Sequence, residues 1–220
     1  MQSAINAFLL GFPALFSIVN PPSGGLIFRA VLGGRSDAEY AHIALRVGVY
    51  SFVVMMVSLW AGSFVLAFFG ITLPALRVAG GMVVALSAWS RLNAPEHREQ
   101  QKQEQAAPAE DGDDIAFYPM TLPFTTGPGT VAVAITLGAS RPHFVEGLVA
   151  FCIGMSAAAL AVAVLVWVIY RYADRLAHLL GEGGARVLTR VLAFLLLCVG
   201  VQILISGVTD VLRPLLPSRW

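Results

Sequence analysis

Apolar and polar positions along this chain alternate on the length scale of a bilayer. A membrane-spanning helix needs about 20 largely apolar residues, and six stretches qualify: Ala4–Arg29, Ala41–Phe69, Leu73–Ser90, Ile115–Ala139, Glu146–Tyr170 and Arg190–Val211. Three fall on each side of a polar run, Asn93–Asp114, which is rich in Gln, Glu, Ala and Asp and has no apolar face. Such a run reads as a solvated linker. The pattern predicts an all-α, polytopic membrane protein in three parts: a first three-helix repeat over 1–92, a linker over 93–114 and a second three-helix repeat over 115–220.

The pattern is interrupted where a spanning helix should be continuous. In the first span, Asn20-Pro21-Pro22-Ser23-Gly24-Gly25 breaks a run that has no charged side chain from Met1 to Phe28. Two prolines remove two backbone donors and crowd the preceding turn, and the glycines relax the dihedrals, so the helix should break at membrane depth. Backbone groups freed there cannot face lipid; they pack in protein or line a polar cavity. A shift of 106 residues lays this segment over the fourth span without a gap, Pro13 on Pro119 and Pro22 on Pro128, with Thr126-Gly127-Pro128-Gly129 at the second break. Paired Gly/Pro interruptions in two halves point to a transporter built from structural repeats, with its site at the breaks.

Each half holds three spans, an odd number, so the second copy enters from the opposite face and the repeats are inverted. The match extends, with a two-residue gap, from Gly70…Arg77-Val78 to Gly181…Arg190-Val191. Ten Lys and Arg lie on the side of loops one–two, three–four and five–six, against four (Arg77, Arg141, Arg213, Arg219) on the other. By the positive-inside rule the 93–114 linker is cytoplasmic and both termini are outside. The N-terminal run has no basic residue ahead of it and no small-residue cleavage site, so it reads as a span, not a signal.

Composition narrows the function classes. At 57% apolar, 12% charged and a mean hydropathy of +0.76, the chain is too apolar for an ordinary soluble domain. A net charge of +1 without a basic patch argues against a nucleic-acid partner. Cys152 and Cys198 lie singly in different apolar runs and read as small buried hydrophobes. No metal or cofactor is expected. A membrane-embedded enzyme would need a nucleophile with a base, a metal pair or an acidic dyad in the spans, and the sequence offers none.

No Asp, Glu, Lys, Arg or His falls in the central part of any span, whereas proton-driven carriers, pumps and voltage sensors usually carry them there. A net-neutral ligand suits a pathway of hydroxyls and backbone dipoles. At each break one half-helix ends in carbonyls and the next begins with N–H groups, a field that fits a small zwitterion. The candidate binding residues are Asn20, Pro21, Pro22, Ser23 and Gly24 at the first break and Thr125, Thr126, Gly127, Pro128, Gly129 and Thr130 at the second. Ser17 and Thr121 stand nearby. The glycines leave space for a small ligand and equally suit close helix packing. Gly80 and Gly81 in the third span carry the same two readings. Arg77 and its counterpart Arg190 are candidate gate residues or interfacial anchors. Trp60, Trp89, Trp167 and Tyr170 read as interface or packing aromatics.

These motifs together make the chain resemble the MarC family of integral membrane proteins along nearly its whole length. The matching residues are Asn20-Pro21 followed by Phe28, the segment from Phe69-Gly70-Ile71-Thr72 to Gly80-Gly81, and Pro119…Pro123…Gly127-Pro128-Gly129. The family's first motif usually reads N-P-x-G-x-x-P-x-F; here Ser23 stands at the glycine and Leu26 at the second proline. Thr125 and Thr126 replace the family's usual Leu-Ala. The resemblance implies six spans as inverted repeats with discontinuous first and fourth helices, and a secondary transporter of small neutral amino acids such as glycine and alanine. A sodium ion or a proton are both open as coupling ion. A passive channel, an exporter of other small neutral solutes, and a membrane scaffold or sensor, alone or as a homo-oligomer, are the alternatives.

Overall fold

The computed structural model describes residues 2–32, 34–93, 113–140, 142 and 145–212. In order, its elements are α1 (Gln2–Val19), α2 (Pro21–Val31), α3 (Asp37–Phe68), α4 (Leu73–Leu92), a 3-10 turn (Asp113–Ala116), a π-helical segment (Phe117–Thr125), α5 (Pro128–Ala139), α6 (Val145–Arg171) and α7 (Ala173–Leu212). There is no strand among the described residues. Of the linker predicted over 93–114, residues 94–112 lie outside the described residues.

Among the described residues, five stretches are long and apolar enough to cross a membrane: Ala4–Gly25, Asp37–Phe68, Leu73–Ser90, Gly147–Arg171 and Ala193–Leu212. They coincide closely with five of the six predicted spans. The remaining one, Ile115–Ala139, is not a continuous helix, and its only long α-helical part is the 12-residue α5. Two prolines four residues apart explain the difference. Tyr118 (φ −126°, ψ 125°) and Leu122 (φ −113°, ψ 122°), which precede Pro119 and Pro123, are both extended, because a proline ring pushes the residue before it out of helical geometry.

Local chemistry sets the other boundaries. Ser36 and Glu39 form a reciprocal capping box at the start of α3. The helix stops at Gly70, whose φ of 67° lets Ile71 N donate to Leu66 O at 2.9 Å and Gly70 N to Ala67 O at 3.1 Å, a Schellman closure. Thr72 then caps α4, accepting from Ala75 N. The last helix departs from expectation. Arg175 and Arg186, assigned to a loop, and Arg190, the expected start of the sixth span, all lie within α7, which runs 40 residues from Ala173. No proline falls in that stretch, and its many Ala, Leu and Arg residues carry the helix through Gly181, Gly183 and Gly184.

The helices pair by close approach of small residues. Along α4 and α7, a Cβ on Gly81 would lie 2.8 Å from Gly200 O, and one on Gly200 would lie 2.9 Å from Ala85 Cα. Small-residue seams of this kind substitute for a hydrophobic driving force that lipid does not supply. α1 packs on α6, α3 on both α5 and α6, and α5 also meets α4. Leu15, Val47, Met55, Val84 and Met155 fill the interior, while Leu9, Phe64, Phe68 and Leu86 point outward and exposed. Water would not tolerate so large an apolar exterior on one domain; a bilayer does.

The candidate site at two helix breaks

The first break is one residue wide. Asn20 sits between α1 and α2 in the left-handed region, φ 49° and ψ 61°, and among the described residues it is the one non-glycine with positive φ. Asn tolerates that conformation better than most side chains because its short amide bonds locally. Asn20 N still donates to Phe16 O at 2.9 Å, and Asn20 O accepts from Gly24 N at 3.1 Å. The amide oxygen Oδ1 accepts from Ser23 N at a long 3.4 Å.

Donors and acceptors at the start of α2 can now be matched one by one. Pro21 and Pro22 carry no N–H, so the carbonyls of Ser17 and Ile18 lose the donors that a continuous helix would give them. The next two amides, of Ser23 and Gly24, are both consumed by Asn20. The first turn of α2 therefore offers no free backbone donor, contrary to the expectation from helix polarity alone. Side chains take over that role. Asn20 Nδ2 and Ser23 Oγ have no hydrogen-bond partner, although their residues are 1% and 6% exposed.

The second break is built differently. Thr121 Oγ1 donates to Ala116 O at 2.6 Å, Thr125 Oγ1 to Met120 O at 2.6 Å and Thr126 Oγ1 to Thr121 O at 3.1 Å. Thr126 N also donates to Thr121 O, at 2.8 Å. The threonine hydroxyls thus supply donors to carbonyls in a segment where Pro119 and Pro123 have removed two. All three threonines, with Thr130 in the first turn of α5, are buried to 2% exposure or less. The cap of α5 is Gly127, which has no side chain to receive the first-turn amides; Pro128 has none, and those of Gly129 and Thr130 follow. A cavity beside this break is lined by Leu76, Tyr118, Leu122, Pro123, Pro128 and Ala132, an apolar set open toward the outside of the bundle.

Tertiary packing brings the two breaks together. A Cβ on Gly129 would lie 3.2 Å from Ile18 Cδ1 and 3.3 Å from Val84 Cγ2, so the first turn of α5 rests against the last turn of α1. Tyr170, near the end of α6, is the second bridge. Its hydroxyl lies 2.8 Å from Thr125 Oγ1, and since Thr125 gives its proton to Met120 O, Tyr170 is the donor in that pair. The same hydroxyl occupies the space that a side chain on Gly24 would need. The ring packs 4.9 Å from that of Phe28. Sequence reasoning assigned Tyr170 to packing and missed this role, since nothing in an apolar run distinguishes a tyrosine that meets lipid from one that meets a helix break.

The remaining predicted residues are placed as follows. Gly80 lies against Ala132 Cβ of α5 and Gly81 against the backbone of α7, both close-packing positions. Arg77 forms an ion pair with Asp210 near the end of α7 and donates to Ser140 Oγ, at the end of α5, at 3.0 Å. It therefore ties three helices at one end of the molecule. Arg190 is exposed on the side of α7, far from any helix terminus. The correspondence with Arg77 expected from sequence does not extend to a shared environment. Ser51 Oγ and Trp167 Nε1 are two further buried polar atoms without a partner, on the faces where α3 meets α6 at Gly48. No group of His, Cys, Asp and Glu among the described residues could hold a metal ion.

Helices of this length and exterior, broken where buried polar groups converge, define a multi-pass α-helical membrane protein. The chain belongs to the MarC family of integral membrane proteins, whose model matches residues 5–212. It is 34% identical to the inner membrane protein MarC of Citrobacter koseri over 97% of this chain and 99% of that protein. The corresponding proteins of Salmonella typhimurium and Escherichia coli O1:K1 are each 33% identical, again over 97% of this chain and 99% of theirs. No solved structure matches it.

Proposed function

We propose that the protein is a secondary transporter of small neutral amino acids, of the size of glycine and alanine, across the cytoplasmic membrane, and that the solute binds where the two breaks meet. The observation that carries this reading is the pair of buried, unpartnered polar atoms at the first break, Asn20 Nδ2 and Ser23 Oγ. A buried polar group without a hydrogen bond costs about 1–3 kcal/mol, a cost that a solute with its own donors and acceptors removes. A carboxylate suits Asn20 Nδ2 and the uncapped amides of α5; an ammonium suits the carbonyls of Ser17 and Ile18. With this placement a small zwitterion is bound without any ionised side chain.

The helix pairings support two inverted three-helix copies moving against each other. The order α1–α2, α3, α4 corresponds to the π segment with α5, α6, α7. Under that correspondence the packing of α1 and α2 on α6 mirrors that of the π segment and α5 on α3, and the α4–α5 contact mirrors that of α7 with α2. Rocking of one copy on the other would open the breaks alternately to either face. The excess of Lys and Arg on the linker side favours a cytoplasmic linker and external termini.

Thermal unfolding of the purified protein across a panel of amino acids, with and without sodium, tests the ligand class, because a ligand that binds only the folded state raises apparent stability. The expected result is a rise with glycine or alanine. In proteoliposomes, Asn20→Leu or Thr126→Leu abolishes flux while the folded protein persists; unchanged flux in both removes the breaks from the mechanism. Accumulation against a gradient separates a carrier from a passive channel.

A further inference from the structure

A cavity of about 300 Å³ opens at the end of the bundle where α3 begins and α6 passes into α7. Its walls include Asp37, Arg171 and Arg175, so it presents both signs of charge at one mouth. Its inner wall is formed by Tyr40 and Tyr170. Those two rings flank Phe28, at 6.1 and 4.9 Å between ring centroids, in one aromatic layer. Tyr40 is held there by its hydroxyl, which donates to Leu32 O at 2.7 Å. On the far side of the layer the Tyr170 hydroxyl reaches Thr125 at the second break and Gly24 at the first.

We propose that this cavity, at the end of the bundle that faces the cytoplasm in the orientation proposed above, is the mouth of the path to the breaks, taking the same small zwitterion, and that Tyr170 is the door between them. The inference rests on the transport reading above and adds to it an entry site and a gate. Arg171 and Arg175 meet the carboxylate of the incoming solute and Asp37 its ammonium. In the closed arrangement the Tyr170 ring blocks the way, with its hydroxyl as the latch on Thr125. Gly24 is what allows that latch to close, because any side chain there would strike the hydroxyl. Swinging the ring away from Thr125 joins the charged mouth to Asn20 and Ser23.

Thiol labelling tests this without requiring any solute to be transported, so its failure is separable from failure of the transport reading. Cys152 and Cys198 are replaced by alanine, Ser23→Cys is introduced, and the protein is placed in sealed vesicles of both orientations. The introduced thiol reacts slowly with membrane-impermeant methanethiosulfonates while the door is shut. Thr125→Val and Tyr170→Phe, which each remove the latch bond, should speed labelling about fivefold, the weight of one neutral hydrogen bond. Tyr170→Ala should speed it further, and all three only from the face that bears Arg171 and Arg175. In the Thr125→Val background, the Arg171→Gln, Arg175→Gln double variant should lower the rate with an anionic reagent relative to a cationic one by several-fold. Unchanged rates in both conservative variants, or equal acceleration from both faces, would overturn the door. An unchanged reagent ratio would overturn the charged entry site.

Discussion

The two breaks begin from overlapping sequence patterns and solve one problem in two ways. In the 106-residue register, α1 and the π segment end at matching positions, Val19 and Thr125, and the following helices begin at Pro21 and Pro128. The approaches differ. Pro13 lies inside a continuous α1, whereas its counterpart Pro119, joined by Pro123, sits in irregular backbone. The residues that match Thr121 and Thr125 in the first half are Leu15 and Val19, both buried in the core. Where the first half keeps its helix it can fill the interior with aliphatic side chains. Where the second loses it, hydroxyls bond to carbonyls of the irregular backbone.

The difference also distributes the vacant hydrogen-bonding capacity. The three threonine hydroxyls of the second break are all engaged in bonds to carbonyls. The first break keeps two buried polar atoms unmatched. The threonines of the second break are therefore satisfied within the protein, and the polar side chains of the first are not.

The largest effect that would expose this asymmetry is on uptake. Asn20→Asp preserves the cap oxygen and the tolerance for left-handed backbone but replaces the donor Nδ2 with an acceptor; loss of at least about 90% of glycine or alanine flux in proteoliposomes is expected, the scale of one hydrogen bond to a charged group. Flux at the parent level would remove Nδ2 from the site. Next in size is Thr121→Val, which takes the hydroxyl donor from the buried Ala116 carbonyl and should cost about 1–2 kcal/mol of stability, read from unfolding in detergent. The reciprocal change at the matched pair 19 and 125, Val19→Thr, buries a hydroxyl where the first half has a continuous helix, and should cost about 1–2 kcal/mol. If the threonine were tolerated at position 19 as well as it is at 125, the two approaches would be equivalent after all. The smallest contrast lies between the two arginines that sequence comparison of the halves paired. Arg77→Gln loses a half-buried ion pair and a bond to Ser140, for about 1 kcal/mol, while Arg190→Gln, on an exposed helix face, should stay within about 0.5 kcal/mol of the parent in the same assay.

Hydropathy and the positions of proline and glycine were enough to determine that the chain crosses a membrane, where five of its long helices lie, and that two interruptions fall at related places. These are properties of residues next to one another: apolar length, missing donors, a glycine after a helix end. The same local logic failed at α7, where the helix begins at Ala173 and runs through three glycines before it reaches Arg190, the expected start of the span. It also could not say which orphaned groups at the breaks would be satisfied, because Thr121 and Asn20 each bond to atoms whose distance depends on how the chain bends. Tertiary structure decided that Tyr170 lies across both breaks, that Arg77 meets Asp210 and not Arg190's surroundings, and that the first turn of α2 has no amide left to offer. Contacts between helices far apart in sequence leave no periodic trace in it, so only the packed bundle could bring them into view.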